Sequence, residues 1–167
     1  MKNVLKKIVG FGMATMMALS MGVVAFAQDA PGYVTFFKSS ASSNQGAVSM
    51  TQNTIAGYDS KVQIGNDYVY TIDLQPFTMT RLGITGTGYM TSIDLGSAAE
   101  ADGITAVVSG NHETLVVTVP VACVDDDGNS ALYPASISSR ITFAGIPMTM
   151  PSSVKLAITD SELTYEG

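Results

Sequence analysis

From residue 33 to residue 158 the chain runs in short apolar or alternating segments, rich in β-branched and aromatic residues. They recur every ten to fifteen residues and break at Gly, Pro, Asn or Asp. No window sustains an apolar period near 3.6, the spacing that would put one stripe of a helix on a core. A period of two instead turns alternate side chains to one face of a strand, so the chain reads as all-β. Candidate strands are Tyr33 to Phe37, Ser60 to Ile64, Tyr68 to Leu74, Gly88 to Leu95, Ile104 to Ser109, Thr114 to Ala122, Ser139 to Ala144 and Val154 to Ile158. Seven or eight strands at this spacing predict two antiparallel sheets packed face to face, an immunoglobulin-like β-sandwich.

The connections follow from turn chemistry. Gly65-Asn66-Asp67 predicts a hairpin turn, and Asp125-Asp126-Asp127-Gly128-Asn129 a loop after the longest strand. The polar run Ser39 to Gly46 reads as flexible, and a short helical turn is expected around Met50 to Ile55. Val116 to Val121 is apolar on both faces, as in a strand covered on both sides.

The first 27 residues read differently. Lys2, Lys6 and Lys7 precede an uncharged run from Ile8 to Ala27 that ends in Ala25-Phe26-Ala27, the small-x-small pattern of a signal-peptidase site. The run is also long enough to be an uncleaved anchor, but Gly10, Gly12, Thr15 and Ser20 favour a cleaved secretory leader. Residues 28–44 then form a lead-in that includes the first strand, and residues 45–163 the sandwich. The expected location is secreted or at the cell surface.

Cleavage would leave five basic side chains against 14 acidic ones, a formal charge of −9. Such a surface repels nucleic acid and anionic lipid. Cys123 is the single cysteine, so no disulfide framework exists, and its apolar run makes it a small buried hydrophobe.

No catalytic set emerges, and the chain is read as a non-enzyme. His112 is the sole imidazole and sits in the turn-like Gly110-Asn111-His112-Glu113, without a nucleophile to serve. Asp125-x-Asp127-x-Asn129 begins like a calcium loop, but its sixth position is Ser130 and its twelfth Ser136, where glycine and a bidentate glutamate are needed. It reads as a turn with a solvated acidic face. Gly83 to Gly88 is rich in glycine but has no following lysine or helix, and reads as a loop.

The methionines are what remains. Met79 and Met90 lie in strand-like contexts and suit the core. Met50, and the pair in Pro147-Met148-Thr149-Met150-Pro151, lie at segment edges from which a side chain can reach a cleft. Thioether sulfur is a soft ligand and equally a core filler, and residue type alone leaves both roles open.

Ser49 to Val62, Tyr68-Val69-Tyr70-Thr71-Ile72-Asp73-Leu74, Gly86-Thr87-Gly88-Tyr89-Met90, Ile141 to Met148 and Val154 to Leu163 together resemble the Shp-type haem-binding domains of Gram-positive cell surfaces. Those domains are similar in fold to NEAT domains, so the resemblance implies a NEAT-like sandwich. It also implies a b-type, non-covalent haem held between two methionine sulfurs, at the positions of Met50 and Met148, with Met150 as rival. Ile55, Tyr58, Phe143 and Ile146 would line the slot. The Tyr-x-x-x-Tyr pair that NEAT domains use is missing from residues 139–160. The resulting expectation is a secreted protein that binds haem and passes it to a surface or membrane receptor, with no metal beyond the haem iron. The alternative is a haem-free extracellular module that recognises a protein or a glycan.

Overall fold

The computed structural model describes residues 32–166. The leader reading of residues 1–27 lies outside the described residues. Period-two burial is plainest in the strand Tyr133–Phe143, where Tyr133, Ala135, Ile137, Ser139 and Ile141 are buried while Pro134, Ser136, Arg140 and Thr142 are exposed. The later strand Ile84–Leu95 alternates likewise from Gly86 to Met90, and Tyr33–Lys38 is buried on both faces.

Nine strands are described: β1 (Tyr33–Lys38), β2 (Ile55–Ile64), β3 (Asp67–Leu74), β4 (Phe77–Arg81), β5 (Ile84–Leu95), β6 (Thr105–Val108), β7 (Thr114–Pro120), β8 (Tyr133–Phe143) and β9 (Ile146–Thr159). A short helix α1 (Ser97–Ala101) follows β5, and two 3-10 turns span Met50–Thr54 and Val121–Cys123. The strands form a five-stranded sheet in the order β1-β9-β8-β5-β4 and a four-stranded sheet in the order β2-β3-β7-β6. All neighbours are antiparallel. The chain is therefore an all-β sandwich, with Val34, Phe36, Tyr70, Ile72, Leu115, Val117, Ile137 and Leu156 in the core. β1 pairs along its whole length with β9, so this strand of the lead-in is part of the five-stranded sheet.

The turn and loop expectations divide. Gly65-Asn66 closes the β2–β3 hairpin, and a 3-10 turn occupies Met50–Thr54. The Ser-rich segment, read as flexible, instead folds over the outer face of β1 and β9. Ala41 is buried there against Phe37 and Ala157, and its carbonyl accepts from Lys155 Nζ at 2.6 Å. Cys123 is only half-buried, in the 3-10 turn after β7, rather than in the strand core.

Gly83 to Gly88 is not a loop. Leu82 and Gly83, both at positive φ, form a two-residue turn, and the chain then runs straight into β5. Gly86 and Gly88 face inward beneath neighbouring side chains. A Cβ at Gly86 would lie 2.6 Å from the Phe143 ring, and one at Gly88 2.5 Å from Ile141 and 2.8 Å from the Arg140 carbonyl. These glycines serve close packing, and periodicity cannot show that.

The methionine segment is likewise strand, not loop. Ala144 and Gly145, again at positive φ, make a two-residue turn, and β9 starts at Ile146. Phe143 and Ile146 close this hairpin, so the hydrogen-bonded pairs with β8 are Phe143–Ile146, Ile141–Met148 and Ser139–Met150. Pro147 and Pro151 occupy the alternate positions, where a backbone nitrogen points away from β8. β1 joins β9 only from Val154 onward, so neither proline removes a ladder bond.

Candidate functional site

The residues expected to surround a haem fall into two separate groups. Ser49 caps the 3-10 turn, its hydroxyl accepting from Thr51 N, and its own N–H donates to the Phe36 carbonyl at 2.7 Å. Buried Gln52 fastens the turn to β1: its Oε1 accepts from Phe36 N at 2.8 Å, and its Nε2 donates to the Tyr58 hydroxyl at 3.0 Å. Met50 is thereby held beside Phe36, which pairs with Leu156. Met148 lies eight residues earlier on β9, about 26 Å along the strand. A haem iron needs its two axial sulfurs about 5 Å apart, twice a metal–sulfur bond. The structure does not bring Met50 and Met148 together.

Ile55 and Tyr58 stay with Met50. Ile55 opens β2 opposite Leu74, and the Tyr58 hydroxyl donates to the Val34 carbonyl at 2.9 Å while its ring meets Tyr33 edge-on at 4.9 Å. Burial, the main cause, raises the Tyr58 pKa and keeps the phenol neutral. Tyr58 is thus committed to holding the 3-10 turn against β1 and does not line an open slot. Phe143, Ile146, Met148 and Met150 form the second group, on the β8–β9 hairpin.

This hairpin carries the most conspicuous surface. Ile146, Met148, Met150, Ser152, Val154, Leu156 and Ile158 share one face of β9, the face of core residues Ile137 and Ile141 on β8. Exposure falls along that face from 65% at Ile146 and 48% at Met148, through half-buried Met150 and Ser152, to 2% at Val154 and 0% at Ile158. The four-stranded sheet therefore covers only the far half of the face. The near half is a ledge that is open along β9, while Ile141 beside Met148 on β8 is buried.

The neighbouring hairpin extends the ledge. By register, Ile146, Phe143, Gly86 and Met79 form one row across the sheet, and Met148, Ile141, Gly88 and Phe77 the next. Ile84 and Leu82, 49% and 96% exposed, lie beyond them at the β4–β5 turn. Among the described residues, four of the six exposed large hydrophobic side chains, Leu82, Ile84, Ile146 and Met148, thus belong to these two hairpins. No acidic residue occurs from Leu74 to Ile93 or from Gly128 to Thr159, although the chain holds 14. Arg81 is the one charged residue at either turn.

Other candidates are occupied or lack a function. Asp125 Oδ1 accepts from the N–H groups of Asp127 and Asn129, so the acidic loop caps its own turn. His112, at positive φ, stacks on Tyr89 at 4.9 Å. Among the described residues, no three His, Cys, Asp or Glu side chains group so as to hold a metal ion. A half-open cleft of about 250 Å³ lies between Gln52, Asn53, Ile55 and Gln75 and the C-terminal segment Glu162 to Tyr165. Gln75 there is spent on the carbonyls of Asn53 and Ile55.

Of the ledge residues, Leu82, Ile84 and Phe77 carry no assignment from sequence, and Met79, expected in the core, is only half-buried. Two signals mark them: the acid-free stretches in an acidic chain, and leucine in a tight turn that favours Asn or Asp. Compared with protein-family models, with curated proteins and with solved structures, the chain matches none. The likeness to Shp-type domains accordingly rests on the short segments that carry it.

Proposed function

We propose that this chain is a haem-free extracellular interaction module that docks an apolar segment of a partner protein on the hairpin ledge. The fall of exposure along the inner face of β9 carries the reading, because a sandwich that needed only its own core would end its apolar face where the second sheet ends. One feature favours protein over a sugar or a lipid surface: exposed methionine, here Met148, adapts to irregular partners. The extracellular setting rests on the leader-like residues 1–27.

Photo-crosslinking from Ile146 on the full chain, presented to the surface of producing cells, tests the proposal. A discrete protein adduct is expected, competed by excess wild-type chain but not by Ile146→Asp, and absent when the probe sits at Ser153 on the opposite face of β9. Equal adducts from both positions would refute it. The haem proposal would now need axial ligands other than the Met50 and Met148 pair. A low-spin haemin spectrum that both Met50→Ala and Met148→Ala abolish would restore it and overturn the present reading.

A further inference from the structure

Where the ledge meets the core, three methionines surround one small side chain. Met148 and Met150 are two residues apart on one face of β9, with Cα atoms about 6.7 Å apart by strand geometry. Met150 pairs with Ser139, and Ser139 pairs with Met90 of β5. Met90 and Met150 therefore flank Ser139 in one row, about 10 Å apart across two strand spacings. A methionine sulfur reaches up to about 4 Å from its own Cα, and side chains about 10 Å apart at their bases can bring two sulfurs within reach of one ion above Ser139. Met90 is fully buried, Met150 half-buried and Met148 exposed, so the three run from the core out to solvent.

We propose that Met148, Met150 and Met90 bind one soft monovalent cation, Cu(I) or its analogue Ag(I). Neutral thioethers select soft ions, and three of them match the low coordination number such ions accept. Hard divalent cations have nothing to bind, since no carboxylate occurs in either acid-free stretch. No proton leaves a thioether on binding, so the affinity should not depend on pH. A thiolate site would instead weaken as the pH falls, because a thiol must lose its proton to bind the ion. This inference is independent of the docking proposal, because it needs neither a partner nor an extracellular setting.

The test is titration of the full chain, labelled with ¹³C in its methionine methyl groups, with Ag(I) in halide-free buffer. The Met90, Met148 and Met150 methyl signals should shift together and saturate at one equivalent, equally at pH 5 and pH 7. Met148→Leu and Met150→Leu, which keep the volume and apolar character, should each abolish stoichiometric binding, while Cys123→Ser should not. Shifts confined to Met50 or to methionines before residue 28 would overturn the assignment. So would unaltered binding in both leucine variants, or binding that vanishes with Cys123→Ser or at pH 5.

Discussion

An alanine scan along the inner face of β9 tests the ledge directly, because one strand passes from open surface to core within seven alternate positions. Ile146 keeps 65% of its surface exposed and Met148 48%. Full burial of such a side chain stabilises by about 1.5–3 kcal/mol, so the covered third of Ile146 is worth about 0.5–1 kcal/mol and the covered half of Met148 about 1 kcal/mol. Leu156 and Ile158 are fully buried and would leave cavities as well, so their alanine variants should cost about 3–4 kcal/mol, with Val154→Ala near 2. The step should fall between Met150 and Val154. Urea unfolding at constant m-value measures it. If Ile146→Ala cost more than about 2 kcal/mol, or the profile were flat, something would cover the hairpin, and the docking proposal would lose its surface.

Three further outcomes follow from local geometry. Gly88→Ala should destabilise by about 2–3 kcal/mol in urea melts, because the new methyl meets both the Ile141 side chain and the Arg140 carbonyl, whereas Gly57→Ala, with nothing within 4 Å, should be nearly neutral. Gln52→Leu should cost about 2 kcal/mol, since it strands the buried Phe36 N–H, and amide exchange at Phe36 should rise with it. Burial raises the pKa of both Tyr58 and Tyr70. The unfolded chain then ionises first, so stability should hold below about pH 10 and fall above it as the phenols of the unfolded state lose protons. The part of the tyrosinate absorbance that Tyr58→Phe and Tyr70→Phe remove should rise together with unfolding rather than before it.

The sandwich was legible because alternation needs only neighbours in sequence. Tyr33 to Phe37 and Tyr68 to Leu74 announce strands whichever sheet they join, and so does Thr114 to Ala122, apart from its last residues. What failed depends on partners far away in the chain. β4 is short, follows Pro76 and has only one neighbour, so its local pattern is weak. Gly83 to Gly88 carries turn-like residues, yet Gly86 and Gly88 are there to admit Phe143 and Ile141 from a strand more than fifty residues on. Pro147 and Pro151 argue against a strand until it is known that β1 stops short of them. The separation of Met50 from Met148 was hidden for the same reason. Both read as segment-edge residues, and only the β1–β9 register shows that Met50 sits beside the Leu156 end of β9, about 26 Å along the strand from Met148.

Those prolines also explain how the protein can keep an apolar hairpin in the open. Residues 146–153 of β9 have no neighbour on the β1 side, and an exposed strand edge is a template for pairing with another copy. The outward positions 147, 149, 151 and 153 would each present an N–H there, and proline removes two of the four donors. The ledge is thus closed to association through its edge and left open through its side chains. Pro147→Thr/Pro151→Thr should restore those donors without loss of any existing bond, leaving the monomer's stability within about 1 kcal/mol of wild type. Light scattering should then show concentration-dependent self-association that wild type lacks. Adding Ile146→Asp should not cure it, because the new contact is made by the backbone edge rather than the apolar face. If the double variant stays monomeric, the prolines are not edge guards. If Ile146→Asp does cure the association, the face rather than the edge mediates it, and the ledge then binds a second copy of the chain.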